Sequence, residues 1–123
     1  MKFHPLCPGT AVTDLTEEYK TARAIGSLRI GDKNLFCRLR LKVYYVPYEL
    51  IRRCYRRVLL VPATVCCGKG ELHVENLVIC TQEGEIAQVP LPGTREAKEV
   101  MRELKIMIRD CIFTVPLEKE AEK

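Results

Sequence analysis

The longest regular pattern in the chain is a two-residue alternation. Leu35, Cys37, Leu39, Leu41, Val43 and Tyr45 fall on one side of it, and Phe36, Arg38, Arg40, Lys42 and Tyr44 on the other. Successive strand side chains point to opposite faces, so this period predicts β structure, either one strand or two broken near Arg40–Lys42. A short strand and a Gly31-Asp32 turn precede it. Downstream, "VLLVPATVCCG" reads as strand ending in a turn at Gly68-Lys69-Gly70. "ELHVENLVICT" reads as strand, "QEGE" as a hairpin turn around Gly84, and "IAQVPL" as the return strand closed by Pro90 and Pro92. The first dozen residues, with Pro5, Pro8 and Gly9, read as irregular. Thr13 or Asp14 caps a short helix over about 14–24, with Leu15, Tyr19 and Ala22 at helical spacing.

The period changes to helical in "GTREAKEVMRELKIMIRDCIF". Ala97, Val100, Met101, Leu104, Ile108 and Cys111 make one apolar stripe. Thr94 is the expected N-cap, and Glu96 suits the positive end of the helix dipole. Glu96, Lys98, Glu99, Arg102, Glu103 and Arg109 form the polar side, in which Glu99 and Glu103 are a like pair. The tail 116–123 reads as a frayed, solvated end. A short helix, several antiparallel strands and one amphipathic helix together predict an α+β domain, or a small barrel or sandwich plugged at one end. At 123 residues the chain fits a single domain, 1–123.

The stretch "YYVPYELIRRCYRRV" sets Arg52, Arg53, Arg56 and Arg57 among apolar pairs. As a helix, 50–59 gathers Leu50, Ile51, Cys54, Tyr55 and Val58 on one side and all four arginines on the other, and periodicity alone favours this. As a strand, Arg52 and Arg56 point one way, Arg53 and Arg57 the other. One pair then faces the fold and needs partners such as Glu49, Glu75 or Glu99. Residues 33–58 hold eight basic residues against Glu49 alone, so they carry +7 in a chain of net +4, and the remainder is net −3. That local field makes Arg38, Arg40, Lys42, Arg52, Arg53, Arg56 and Arg57 the candidate binding residues, with an anion as the ligand they suit.

Other chemistry is not indicated. Adjacent Cys66 and Cys67 lack the spacing that lets two thiolates reach one zinc ion. The remaining cysteines (7, 37, 54, 80 and 111) sit mostly in apolar runs, where a thiol acts as a small hydrophobe. Seven cysteines without an export signal point to a reduced, cytoplasmic protein. His4 and His73 have no partner constellation, and "CCGKGE" lacks the spacing of a phosphate loop. The expectation is a non-enzyme with neither cofactor nor metal. No apolar run approaches the roughly 18–20 residues of a membrane span, and the first twenty residues do not read as a signal peptide.

"YYVPYELI" resembles the I-P-Y-x-x-I segment of bacterial pleckstrin-homology-like domains. "ENLVICTQEGEIAQVPLPGTREAKEVMREL" resembles the closing hairpin and C-terminal helix of the same fold. "YRRV", "CCGKG", "LVIC" and "LPGTREAK" are together similar to a group of small Firmicutes proteins to which no function is attached. The resemblance covers roughly residues 25–110, with the domain core at about 25–112. It implies a curved antiparallel sheet or split barrel capped by the C-terminal helix, and a helical turn over 48–52 followed by a strand. It also implies a bacterial, non-catalytic binding module, for protein or peptide. Lipid-binding members carry a basic motif in the first hairpin loop. "RLRLK" (Arg38 to Lys42) is the nearest counterpart here and lacks that motif's full spacing. Two routes to a partner follow: strand addition at an open sheet edge, which also permits a homodimer, and anion docking on the basic segment. The alternative to peptide recognition is a nucleic acid or an anionic surface such as a lipid headgroup.

Overall fold

The structure, a computed structural model, describes residues 2–7, 14–65 and 68–114, with only the backbone of 63–65, 68, 69 and 71. In chain order it contains β1 (Phe3–Pro5), α1 (Thr16–Thr21), β2 (Arg23–Ile25), β3 (Leu28–Ile30), β4 (Asn34–Leu39) and β5 (Lys42–Pro47). A 3-10 turn over Tyr48–Leu50 leads to β6 (Arg53–Val65), β7 (Gly68–Thr81), β8 (Gly84–Pro90) and α2 (Thr94–Met107). The fold class is α+β. One sheet has the order β1-β5-β4-β3-β2, the other β6-β7-β8, and the two are not closed into a barrel. All neighbours are antiparallel except β1, which runs parallel to β5.

The alternating stretch is two strands, and the break changes the faces. Leu39 pairs with Lys42 across the turn at Arg40 and Leu41, so Phe36 stands opposite Tyr45 and Leu35 opposite Val46. A two-residue turn shifts the parity of the returning strand. Val43 and Tyr45 therefore share a face with Phe36, not with Leu35 and Cys37 as the unbroken alternation predicts. Both faces of this sheet are consequently buried. Leu35, Cys37, Val46 and Leu28 enter the main core with Leu77, Ile79 and Val89 of the second sheet. Phe36, Val43 and Tyr45 form a smaller core with Leu15, backed by Phe3 and Tyr19.

The N-terminal elements serve that smaller core. The Phe3, Tyr19 and Phe36 rings meet at centroid distances of 5.3–5.7 Å, and the Arg29 guanidinium lies 4.2 Å from the Tyr19 ring centre. Glu18 accepts from the backbone N–H groups of Lys33 and Asn34 and from Asn34 Nδ2, which ties α1 to the turn before β4. Two expectations change here. Residues 3–5 are strand, not irregular, because they add to the β5 edge. The helix expected over 14–24 stops at Thr21, and Arg23–Ile25 turns back at Gly26 (φ +59°) to pair with β3. Asp14 accepts from Thr16 N–H at 3.1 Å, which holds its carboxyl below the usual range.

α2 lies against the second sheet through Ala97, Val100, Met101 and Leu104, the stripe read from sequence, and Ile108 follows beyond the helix end. Cys111 lies outside the helix. Thr94 is the first helical residue and Gly93 the N-cap, so the Thr94 hydroxyl is free for another partner. Gly68-Lys69-Gly70 belongs to β7, not to a turn, since Val65 pairs with Gly68. The expected disposition of Cys66, Cys67 and the 116–123 tail lies outside the described residues.

Burial sets the cost of core truncation. Leu104→Ala is expected to lower unfolding free energy by about 2–5 kcal/mol in urea titration. Leu41→Ala, at a position 90% exposed, should change it by less than about 0.5 kcal/mol.

Candidate functional site

The segment after β5 is shaped by Tyr48. Its N–H donates to Lys33 O, and its hydroxyl donates to Gly31 O at 2.7 Å. Burial pushes the Tyr48 hydroxyl pKa up. Ile51 closes the turn by donating to Tyr48 O and is itself buried. This turn ends at Leu50, and from Arg53 the chain is strand, so 50–59 is not the helix that its periodicity permits. Pairing with β7 along all 13 residues of β6 satisfies the inward-facing half of the backbone groups that a helix would have satisfied internally.

A strand divides the arginines. Arg56 shares a face with Leu77 and Ile79, toward the helix, while Arg53 and Arg57 take the other face. On the helix side, Arg56 forms a two-pronged pair with Glu75: Nε to Oε1 at 3.0 Å and Nη2 to Oε2 at 2.8 Å. The Thr94 hydroxyl donates to the same carboxylate at 3.1 Å, and Leu91 N–H donates to the Glu75 backbone oxygen. On the outer side, Arg57 reaches Glu85 at 3.0 Å, Gln88 at 2.6 Å and the Tyr55 hydroxyl at 3.0 Å. Arg52 precedes the strand and donates to Glu49 O at 2.7 Å. Arg53 stands opposite Cys80 and is bridged on its other edge to Ile112. The segment beyond α2 thus joins the sheet beside the start of β6.

The other three candidates lie elsewhere. Arg38, Arg40 and Lys42 surround the β4–β5 turn and are exposed. β5 separates that turn from Arg52 by about 20 Å at strand rise. Arg40 has φ 59°, left-handed backbone that a non-glycine residue adopts at a cost of roughly 1 kcal/mol. The +7 segment is continuous in sequence and divided in space.

Another surface lies beside β6. The side chains of Lys98, Met101, Arg102 and Lys105 on α2, with Arg56 and Phe113, line a groove of about 580 Å³. Among the described residues, Lys98, Arg102 and Lys105 make no ion pair, and Lys105 Nζ lies 6.0 Å from the Phe113 ring centre. Among the described residues, no strand pairs with the β6 edge along this groove beyond the bridge at Ile112. Cys54 N–H donates to Ile112 O, and Ile112 N–H to Arg52 O, so the peptide groups of Cys54 point away from β7. Alternation carries the same outward direction to Arg56, Val58 and Leu60. Pro62 falls on this edge too, where its missing N–H removes no bond to β7. Sequence reasoning did not find this groove. Lys98 and Arg102 read as a solvated helix face, and only the path of the chain back along β6 makes them a rim.

Among the described residues, no group of three or more His, Cys, Asp or Glu could hold a metal ion, and no helix is long and apolar enough to cross a membrane. Comparison with protein-family models, curated proteins and solved structures finds no match for this chain.

The Arg56 guanidinium holds the Glu75 carboxyl below its ordinary range, with Thr94 adding to the effect. A depressed folded-state value stabilises the fold above the ordinary carboxyl range near 4.3, and that contribution is lost as pH falls through the depressed value. Glu75 exposes little of itself but lies near the surface, and Arg56 is partly exposed, so water screens the pair. Glu75→Gln should cost about 1–3 kcal/mol at pH 7. Its deficit against the wild-type chain should shrink in denaturant titrations repeated between pH 7 and 3. A deficit constant over that range would contradict the ion pair.

Proposed function

We propose that this protein is a non-catalytic intracellular binding module of pleckstrin-homology-like architecture, and that it recognises a protein or peptide by strand addition at β6. The four-strand antiparallel run β2–β5, the three-strand run β6–β8 and the closing helix α2 support that architecture. One observation carries the function: a strand edge that no other described strand pairs runs beside a groove with an apolar floor and a basic rim. A peptide laid on this edge would exchange backbone bonds with Arg56, Val58 and Leu60. Every second side chain would face the groove over Met101 and Phe113, and Lys98, Arg102 and Lys105 favour a carboxylate there. Backbone pairing supplies affinity, and the groove supplies choice among sequences.

The β4–β5 turn favours a second reading. Leu41 projects into solvent between Arg38, Arg40 and Lys42, an arrangement suited to an anionic surface. Three cations at about 1 kcal/mol each supply only about 3 kcal/mol, too little to anchor a protein alone. Arg56 and Arg57 add nothing to that face, since carboxylates of the fold already hold them.

The test is selection of peptides from a displayed random library, followed by titration of the selected sequences as synthetic peptides. Selected peptides should be extended and apolar with an acidic residue. Val58→Pro, which deletes an outward N–H, should weaken them about 10-fold or more, while raising salt from 50 to 200 mM should weaken them only about 3-fold. Affinities indifferent to Val58→Pro would contradict strand addition. Steep salt dependence abolished by Arg38→Glu with Arg40→Glu would support the anionic surface instead.

A further inference from the structure

Beyond the end of β8, the β6–β7 hairpin continues as a two-stranded arm. β8 pairs with β7 only from Asn76 to Thr81, whereas β6 and β7 stay paired from Arg53–Cys80 to Val65–Gly68. Five of the large hydrophobic side chains exposed on this protein belong to the arm: Val58, Leu59, Leu60, Val61 and Leu72, each 39–59% exposed. Register puts Val58 and Leu60 on one face and Leu59, Val61 and Leu72 on the other. An isolated two-stranded ribbon is marginal in water, and apolar side chains on both faces make it costlier still. A membrane is a poor occupant, because hydrocarbon cannot satisfy the arm's two edges, which no other described strand pairs.

We propose that the arm is covered by a second copy of this chain, the two β6 edges pairing antiparallel about a two-fold axis at Val58. The inference rests on the strand-addition reading above and names its partner. The free edge has limits placed symmetrically about Val58. Cys54, four residues before it, is already engaged by Ile112, and Pro62, four residues after it, has no N–H to give. Between these limits, Val58 meets the partner's Val58, and Arg56 exchanges backbone bonds with the partner's Leu60.

The side chains agree with this register. Arg57 falls opposite the partner's Leu59 and Tyr55 opposite the partner's Val61, an aromatic and β-branched pairing that favours sheets. Moving the axis one residue toward the body sets Arg57 against its own copy, and moving it two sets Arg56 against its own copy. Moving it one residue toward the tip brings Pro62 opposite Arg56 and loses a donor. Leu60 and Arg56 share the helix-side face. The partner's Leu60 therefore lies at the mouth of the groove over Met101 and Phe113, and the same holds in reverse. The exposed arm side chains offer on the order of 400 Å² of apolar surface, comparable with the apolar share of one side of a standard interface of about 800 Å².

Sedimentation equilibrium on the full chain tests the proposal, with Leu60→Lys and Val58→Pro beside the wild type. The wild type should show twice the single-chain mass at roughly 100 μM and dissociate on dilution. Leu60→Lys, at an exposed position where a failure to fold is not expected, should weaken association at least about 10-fold with an unchanged thermal transition. A synthetic peptide of residues 56–62 should compete with association. A single-chain mass at all concentrations would overturn the proposal, as would a dimer indifferent to Leu60→Lys and to the peptide. If the chain is monomeric yet still binds library-selected peptides through the Val58 edge, self-association falls and strand addition stands. If selected peptides bind without regard to Val58→Pro, strand addition falls with it.

Discussion

The carboxylate of Glu75 is the contact on which the second half of the fold turns. It projects from β7 toward the helix, where an uncompensated charge would be costly. Arg56 meets it from β6 and Thr94 meets it from the start of α2, while the Glu75 backbone receives the chain as it leaves β8. One side chain thereby sets the register of the β6–β7 ladder relative to the helix. The apolar stripe of α2 supplies the larger energy through burial, but burial has no direction and tolerates sliding. The carboxylate and its three donors do not. Thr94 lies one residue inside its helix, past the N-cap position, and its hydroxyl goes to β7.

Function depends on what this arrangement leaves over. With Arg56 and Arg57 held by carboxylates on opposite faces, the arginine segment cannot act as one anion site. The same strand instead presents alternate backbone groups along its outer edge, beside a helix whose far rim is basic. The segment after α2 closes the first part of that edge at Ile112 and Pro62 limits the last part. Among the described residues, a short, defined row of donors and acceptors remains next to an apolar floor, which suits an extended chain better than a phosphate.

Much of this was legible in the sequence, and the misses have physical causes. The helix stripe and the long strands were readable because each is a local period repeated many times. Glu75 could be named as a partner for an inward arginine because a strand must send one arginine pair inward. The face of Tyr45 was misread because a two-residue turn inverts parity, which an uninterrupted alternation conceals. The strands at Phe3–Pro5 and Arg23–Ile25 are too short to show a period and exist only through their neighbours. Glu99 and Glu103 read only as a like pair on a helix face, yet the Arg23 fork holds both across 76 and 80 residues of sequence. Likewise the groove joins α2, β6 and Phe113, so no local window of sequence could display it.

Residue-resolved amide hydrogen exchange along β6 in dilute protein is the most direct measurement of the open edge. Arg57, Leu59 and Val61 donate inward to β7 and should exchange slowly. Val58 and Leu60 point outward and should exchange near the rate of unprotected amides, giving a two-residue alternation in protection. Uniform protection across 57–61 in the dilute monomer would show that another part of the chain already covers the edge, and would contradict strand addition as the basis of recognition.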